Sequence, residues 1–315
     1  MDRKLVVLGI NGHVGNAVAR AFAAKGWQVT GFGRSNRYPI PGVDFVKGDA
    51  EDVGAMRAAI GDAEVVFNGL NLPYHEWDKG RKEAQTARVI EAMGTSGKTL
   101  LFPGNIYNYA PTLRHVTPDQ PQVPPTPRGA IRQRVEAMYR EAAERGDMQV
   151  VILRAGDFFG PGSTGDWIDL IMLREAGKGK VATMGERGVG HSWAYLPDLA
   201  GAFEKLAWHR GELGRFDTFH FAGHFVTPEE MGAAIAAAAP VPVKVSPFPR
   251  FTIGLMGLVS PMMREIAKMG YLWEHPMQLE DQRLDAILGP GFGTPFADAV
   301  ATTVTPYFAA ARAAA

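Results

Sequence analysis

The stretch VVLGINGHVGNAVARAF, residues 6–22, decides the fold that the sequence predicts. An apolar run ends at Gly9, and Gly12 and Gly15 follow at intervals of three residues. The residues after the third glycine are typical of a helix. A strand, a glycine turn and a helix in this order are the first unit of a parallel α/β sheet.

Strand-like and helix-like segments continue to alternate as far as Pro161. Apolar strands that alternate with helices predict a doubly wound parallel sheet of the Rossmann type, an α/β fold. The alternation changes after Pro161, which predicts a smaller C-terminal substrate lobe. We expect residues 1–160 to form the Rossmann domain, with 191–222 contributing to it. Residues 161–190 and 223–315 are expected to form the lobe.

Composition excludes several classes of function. The 315 residues include 33 basic and 33 acidic side chains, so bulk charge does not indicate a nucleic-acid partner. The absence of cysteine excludes disulfides, thiolate zinc sites and a cysteine nucleophile. The eight histidines show no metal-binding spacing, so no metal is expected.

The N-terminus enters a strand almost directly and lacks the features of a signal peptide, so we predict a cytoplasmic protein. The most apolar late stretch, FTIGLMGLVSPMM at residues 251–263, is too short to span a bilayer. It predicts a buried helix and no membrane partner. A hydrophobic lid over a substrate is the alternative.

Glycines at this spacing suit a dinucleotide. Gly9 can form the tight turn, Gly12 lets the backbone approach a pyrophosphate, and Gly15 permits close packing of helix on strand. A βα turn without any ligand is the alternative. The predicted cofactor contacts in and beside this turn are Gly9, Asn11, Gly12, His13, Val14, Gly15 and Gly69.

Further motifs follow in order along the chain: KGDAED at 47–52, RAGDFFGP at 154–161 and HSWAYLPDLAGAF at 191–203. With the glycine turn, they resemble the extended short-chain dehydrogenase/reductase family of the NAD-dependent epimerase/dehydratase type. The resemblance implies a Rossmann fold, a nicotinamide dinucleotide and a small-molecule substrate. It also implies that Asp49 meets the adenine.

The end of the second strand indicates which dinucleotide to expect. NAD-binding folds usually carry a carboxylate there for the ribose 2′-hydroxyl, but this chain reads GFGRSNR. Arg34 and Ser35 would suit a 2′-phosphate. We therefore predict NADP (NADPH), with NAD less favoured. A solvated surface arginine is the alternative.

The catalytic pair that the resemblance implies, Tyr-x3-Lys, is missing. None of the eight tyrosines has a lysine four residues on. Alignment on Glu136 puts Arg132 at the lysine and Arg128 at the tyrosine, and arginine cannot serve as an acid/base near neutral pH. Asn105 takes the place of the usual serine or threonine.

Tyr107 is the candidate for a displaced acid/base, and Asn105 and Arg132 complete the predicted catalytic group. Arg132 is also expected to reach the nicotinamide ribose of the cofactor. The alternative for Tyr107 is packing or hydrogen bonding alone.

On the substrate side, Tyr107, Phe158, His191 and Trp193 are the predicted contacts. Sugar-nucleotide members of the family usually have an arginine at the position of His191, so the histidine argues against a nucleotide sugar. A polar core histidine is the alternative.

We therefore predict an NADP-dependent oxidoreductase or epimerase/dehydratase-like enzyme with a non-standard centre. Its substrate would be a small carbonyl, alcohol or sugar-like compound. A non-catalytic NADP-binding redox sensor stays open, as does an isomerase or lyase that keeps NADP bound. Helices expected near 78–93 and 130–144 are compatible with a homodimer but do not imply one.

Overall fold

The computed structural model describes residues 3–162, 165–249 and 251–308. Its strands are β1 (Lys4–Leu8), β2 (Gln28–Gly33), β3 (Val43–Lys47), β4 (Val65–Asn68), β5 (Thr99–Asn105), β6 (His115–Val116), β7 (Gln149–Ala155), β8 (Asp157–Phe159), β9 (Lys180–Thr183), β10 (His191–Tyr195), β11 (Phe216–His220), β12 (His224–Val226), β13 (Lys244–Pro247) and β14 (Gln278–Leu279). Its α-helices are α1 (His13–Ala24), α2 (Val53–Ile60), α3 (Arg81–Met93), α4 (Pro127–Glu144), α5 (Leu196–Trp208), α6 (Pro228–Ala238), α7 (Phe251–Met256), α8 (Pro261–Lys268), α9 (Gln282–Leu288) and α10 (Phe296–Val304).

Seven of these strands form one parallel sheet in the order β11-β7-β5-β4-β1-β2-β3. The chain builds outward from β1 to β2 and β3, then returns to place β4 on the other side of β1. The order therefore reverses between β1 and β4. Ligands of such sheets bind in the crevice outside the carboxyl ends of the strands at this reversal. The predicted doubly wound sheet is confirmed.

Helices cover both faces of the sheet. On one face α1 and α5 pack together, and their apolar side chains, such as Phe22 and Phe203, meet the odd-numbered residues of β1. On the other face α2, α3 and α4 cover Val6 and Leu8. A sheet buried on both faces needs strands that are apolar throughout, which the sequence of β1 provides.

One predicted strand is divided in two. The sequence favours a single sixth strand through MQVVILRAGDFFGP, but β7 ends at Ala155 and β8 joins a separate sheet, β12-β10-β8. Gly156 is the cause, because a Cβ there would lie 2.0 Å from the carbonyl oxygen of Ser192. The division carries Asp157 away from the main sheet and into the C-terminal lobe.

What we call the lobe contains the β12-β10-β8 sheet, the β13-β9 pair, helices α6 and α10 and residues 251–273, around an aromatic core that includes Trp193 and Trp273. Strands β8 and β10 therefore lie outside the bounds that the sequence predicts for the lobe, 161–190 and 223–315. The buried helix predicted for 251–263 is wrong: the segment forms α7 and the start of α8, and Phe251, Leu258 and Val259 are 77%, 73% and 87% exposed. Pro261 begins α8, so the exposed Leu258 and Val259 lie in the connection between the two helices.

The stretch TGDWIDLIMLREAGKGK, residues 164–180, predicts a helix, but its described part has one short π-helical segment and one 3-10 turn, Ile168–Met172 and Ala176–Lys178. Across the described ranges no helix combines the length and the apolar character that crossing a membrane requires. Those ranges also contain no cluster of three or more His, Asp or Glu side chains suited to a metal ion.

Candidate active site

Two of the three glycines in the turn are required by packing within the chain. Gly9 has φ +83°, and a Cβ there would lie 2.9 Å from the backbone of Gly69 at the end of β4. A Cβ on Gly15 would lie 2.5 Å from the carbonyl oxygen of Gly9. The turn is thus pressed against the strand on the other side of the crevice, and neither position has room for a side chain.

Gly12 differs from its neighbours. A Cβ there would make only an ordinary contact, 3.4 Å from the carbonyl oxygen of Gly9, and its φ of −74° suits any residue. Gly12 caps the N-terminus of α1, where free backbone N–H groups attract anions. Packing within the described ranges therefore does not require a glycine here, and contact of Gly12 with a cofactor stays a prediction.

Other predicted cofactor residues surround the turn. The Asn11 side chain joins it to the loop after β2, donating to the carbonyl of Ser35 at 2.5 Å and accepting from the N–H of Arg37 at 2.9 Å. Arg34, Ser35 and Asp49 lie at the ends of β2 and β3 and are exposed.

The two side chains between Gly12 and Gly15 have different surroundings. Val14 packs on the apolar core beneath the turn. The Nδ1 of His13 lies 2.6 Å from a carboxylate oxygen of Asp166, so this end of the turn touches the lobe.

A pair of tyrosines lies at the carboxyl ends of β4 and β5. Tyr107 follows Asn105 and is buried, and its backbone N–H donates to the Asn105 side chain at 3.1 Å. The Tyr107 hydroxyl is hydrogen-bonded to the hydroxyl of Tyr74, from the 3-10 turn after β4. Burial raises the pKa of Tyr107 well above its usual value and that of Tyr74 to about 12. Both hydroxyls therefore carry their protons at neutral pH.

Arg132 provides positive charge beside this pair. Its charge partly offsets the effect of burial on the pKa of both tyrosines. The guanidinium lies 4.7 Å from the ring centre of Trp77, and its Nε is buried without a hydrogen-bond partner among the described residues. Such a group at the floor of a crevice can bond to a ligand without breaking a contact within the protein.

A buried amine lies next to Arg132. Lys82 on α3 is 2% exposed, and its Nζ donates to the carbonyl of Leu70 at 3.1 Å and to the side chain of Gln85 at 2.7 Å. Both acceptors are neutral. Burial, reinforced by the charge of Arg132, holds the pKa of Lys82 well below its usual value.

Arg128, at the position where the family has its tyrosine, serves a different purpose. It is 1% exposed and forms two hydrogen bonds to the carboxylate of Asp78, at 3.0 and 2.9 Å. Its Nε also lies 3.1 Å from a carboxylate oxygen of Glu265 on α8. These ion pairs connect α4 to the loop before α3 and to the lobe.

A buried polar network supports the centre from the side of β7. Arg154 pairs with Glu136 at 2.6 Å and donates to the hydroxyl of Tyr109 at 2.6 Å. Tyr109 in turn contacts Nε2 of His220, whose pKa is lowered to about 3 by burial and by the charge of Arg154. Tyr109 is therefore tied into a fixed network, unlike Tyr107.

The predicted substrate residues separate into two groups. His191 is held on both sides, by the carboxylate of Asp157 at 2.9 Å and the carbonyl of Leu272 at 3.0 Å, and its ring stacks on Trp273 at 3.9 Å. Asp157 raises the pKa of Tyr74 and of Tyr107, so His191 belongs to the same neighbourhood as the tyrosines.

Trp193 and Phe158 lie farther into the protein. Trp193 is 3% exposed among the aromatic rings of the lobe, and Phe158 packs on the core of the main sheet. Their contact with a substrate stays a prediction.

Sequence reasoning missed Tyr74, Lys82, Asp157 and Tyr271. Tyr271 has a buried hydroxyl without a hydrogen-bond partner in the described ranges, and Tyr74 and Asp157 help to raise its pKa. One signal was available for Tyr74: the carboxyl ends of β4 and β5 meet at one edge, so a tyrosine after each can meet the other. Lys82 gave no such signal, because a lysine on a charged helix is usually exposed.

Comparison with known proteins agrees with the motif order. Residues 5–218 match the model of the NAD dependent epimerase/dehydratase family. The chain belongs to that family. No match is found among curated proteins.

Solved structures with a similar fold align with nearly the whole chain of this epimerase/dehydratase family member. MoeE5 in complex with UDP-glucose and NAD has a TM-score of 0.75 and 18% identity, with 99% of each chain covered. UDP-glucose 4-epimerase from Brucella ovis in complex with NAD has a TM-score of 0.75 and 18% identity, covering 97% of this chain and 98% of its own. The Bordetella bronchiseptica enzyme WbmH in complex with NAD+ has a TM-score of 0.71 and 18% identity, with 98% of each chain covered.

These structures contradict the prediction of NADP, because the bound dinucleotide in each is NAD. The residues that led to the prediction form no built phosphate site. Arg34 and Ser35 are exposed, and Ser35 gives its backbone carbonyl, not its hydroxyl, to the bond with Asn11. An exposed arginine is common on any surface and does not by itself define a 2′-phosphate pocket.

Proposed function

We propose that this family member is an NAD-dependent enzyme that acts at an alcohol or carbonyl carbon of a small molecule. Tyr107 would be its proton donor and acceptor. The observation that carries the proposal is the hydrogen-bonded pair of Tyr107 and Tyr74 beside Arg132, at the carboxyl ends of the strands next to the sheet reversal. A hydroxyl, a nearby cation and a cofactor crevice are what proton-coupled hydride transfer requires.

The residues present fit NAD. Gly12 leaves room where a side chain would stand, and the N-terminus of α1 can receive the pyrophosphate. The exposed Asp49, after β3, is the residue that the family resemblance assigns to the adenine. The unpartnered Nε of Arg132 suits a ribose hydroxyl at the other end. When bound, NAD would accept or supply the hydride.

Tyr107 favours one direction of proton transfer. Because burial raises its pKa, it holds its proton at neutral pH and acts as an acid, giving the proton to a carbonyl oxygen that becomes an alcohol. Tyr74 positions the hydroxyl of Tyr107, and Asn105 holds the backbone of Tyr107 in place.

We expect the rate of carbonyl reduction to stay constant from neutral to mildly alkaline pH. Alcohol oxidation, which needs the deprotonated tyrosine, should rise with pH.

The test uses NADH consumption with a panel of ketones and aldehydes, and NAD reduction with the matching alcohols. We expect Tyr107→Phe to reduce turnover by about 10²–10⁴-fold, the usual contribution of a general acid. Tyr195→Phe is the control, since Tyr195 is also buried but lies in the lobe core beside Phe159. Full activity in Tyr107→Phe would exclude the proposed role.

A second candidate is an NAD-binding protein without catalysis. The observation in its favour is Arg128, which stands in place of the family tyrosine and forms ion pairs with Asp78 and Glu265. Tight NADH binding by the wild-type protein with no turnover across the panel would favour this candidate over the enzyme.

A further inference from the structure

A cavity of about 340 Å³ lies in the C-terminal lobe, apart from the glycine turn. The α7–α8 segment forms one wall, through side chains that include Ile253 and Ile266. Trp167, Met184 and Trp273 form the other. Among the residues that the structure describes, every one that lines this cavity is apolar or a glycine.

This lining does not suit a charged ligand. Arg187, two residues after the lining residue Gly185, has a side chain that is 92% exposed and faces the carboxylate of Glu229 at 3.5 Å. A diphosphate moved into the described walls would lose water without gaining a charged partner, which is costly. A hydrocarbon group would gain free energy there in proportion to the apolar area that it removes from water.

The volume sets the size of the group. An apolar protein cavity of about 150 Å³ holds one benzene ring. A cavity of about 340 Å³ therefore suits two fused rings or a branched hydrocarbon of similar bulk.

The surface at the cavity has the same apolar character. Phe251 lines the cavity and is 77% exposed, and Leu255, Leu258 and Val259 in the same segment are 63%, 73% and 87% exposed. Single exposed leucines are ordinary, but a cluster beside a cavity marks a binding site for an apolar partner.

Trp273 connects the cavity to the reacting centre. Its side chain lines the cavity, and its ring stacks on His191 at 3.9 Å. His191 bonds to Asp157 at 2.9 Å, and Asp157 acts electrostatically on Tyr107. The 3-10 turn that carries Tyr74 also packs on α8, whose Ile266 lines the cavity. The cavity wall is therefore a direct neighbour of the tyrosine pair.

We infer that this cavity binds the apolar group of the substrate, and that the substrate class is a hydrophobic ketone or alcohol, not a nucleotide sugar. The inference rests on the proposed function, since it concerns the same reaction. The α7–α8 segment then serves as the apolar wall over the bound group.

The probe is 2-acetylnaphthalene, a two-ring ketone, and the readout is quenching of tryptophan fluorescence in the full chain. Gly254 lines the cavity from α7, and a Cβ there would meet no atom within 4 Å, so Gly254→Phe should place its ring in the cavity without disturbing the fold. Gly211→Phe is the matched control: it is exposed on the main domain, and a Cβ there also meets no atom within 4 Å.

We expect wild type and Gly211→Phe to bind the probe alike, and Gly254→Phe to bind it about tenfold more weakly or worse, a loss of about 1.4 kcal/mol. UDP-glucose should not displace the probe. Absence of binding, equal binding by all three proteins, or displacement by UDP-glucose would each overturn the inference. NADH titration of the same samples separates the two proposals: normal NADH binding without probe binding removes only the cavity assignment, whereas loss of NADH binding removes the proposed function.

Discussion

The glycine turn after β1 and the tyrosine pair after β5 lie at the same edge of one sheet, but different forces hold them in place. Backbone atoms hold the turn: Gly9 and Gly15 leave no space for a side chain, whatever the ligand. Side chains hold the tyrosine pair, through contacts between segments far apart in sequence, such as Tyr74 with Tyr107 and Arg128 with Glu265.

This difference explains why one region has the family pattern and the other does not. A Cβ on Gly15 would lie 2.5 Å from a backbone oxygen, which cannot move aside as a flexible side chain can, so this position strongly favours glycine. A set of side chains can be exchanged as a group if charge and volume remain balanced. Arg128 and Arg132 are one turn apart on α4 and illustrate the second case. Arg128 is ion-paired with Asp78 and Glu265, whereas Arg132 forms no ion pair within the described ranges and faces the ring of Trp77.

Replacing these two arginines tests the comparison most strongly. Arg128→Met leaves Glu265 and Asp78 without their partner, and removal of one member of a buried ion pair costs about 3–5 kcal/mol. Asp78 is 56% exposed and water can solvate it, and Lys268 lies 2.6 Å from Glu265 and keeps part of that charge balanced, so we expect a loss at or below the lower end of that range. Urea denaturation at neutral pH measures it.

Arg132→Met is the matched variant. This substitution removes a buried cation and leaves no carboxylate within hydrogen-bond reach without a partner. We therefore expect the free energy of unfolding to be unchanged or raised, and NADH turnover to fall. If both variants lose equal stability, Arg132 is a structural residue like Arg128, and its role at the cofactor is wrong.

The next test compares two glycines of the turn. Gly15→Ala places a Cβ against the carbonyl of Gly9, and we expect a loss of about 1–3 kcal/mol, as for other overpacked sites. Gly12→Ala has room for its Cβ, so the melting temperature should hold while NADH binds about tenfold more weakly. Thermal denaturation and NADH fluorescence titration measure the two effects. Normal NADH affinity in Gly12→Ala would mean that the ligand does not approach this residue.

The sequence alone predicts those parts of the fold that depend on residues close together along the chain. The apolar run at β1 and the glycine spacing predict the strand, the turn and the sheet around them, because each depends on neighbouring residues. It was insufficient at Gly156, where a contact with Ser192 divides a strand, and at 251–263, where apolar composition alone does not say whether a partner surface exists.

The candidate site shows the same contrast between residues that a local motif identifies and residues that only the fold brings together. Tyr107 and Arg132 could be selected by alignment to a motif, but Tyr74 is 33 residues from Tyr107, and only the pairing of β4 with β5 brings the two together. The prediction of NADP is wrong although Arg34 and Ser35 follow β2 and no carboxylate does, because these two exposed residues do not form a phosphate pocket. A phosphate pocket needs several donors aimed at one point, and that arrangement is not visible in a linear sequence.

The smallest expected effect concerns Lys82, which is buried beside Arg132 although a lysine on a charged helix is usually exposed. In the folded protein the pKa of Lys82 lies well below the ordinary value of 10.5. At any pH between the folded-state pKa and 10.5, the unfolded chain therefore binds more protons than the folded protein. Its burial is therefore unfavourable at neutral pH, and this cost disappears as the pH rises toward 10.5. We expect Lys82→Met to raise the free energy of unfolding at neutral pH by about 1 kcal/mol or more, and to flatten its increase with pH.

Lys98→Met is the matched control, since its Nζ also donates to a backbone carbonyl, that of Ala63 at 2.6 Å, but from a partly exposed position. The control should be neutral or slightly destabilising, because only one ordinary hydrogen bond is lost. A stability loss in Lys82→Met larger than in the control would show that its bonds to Leu70 and Gln85 outweigh its desolvation. The reacting centre would then depend on fixed local contacts as strictly as the glycine turn does, and the contrast between the two regions would fail at this residue.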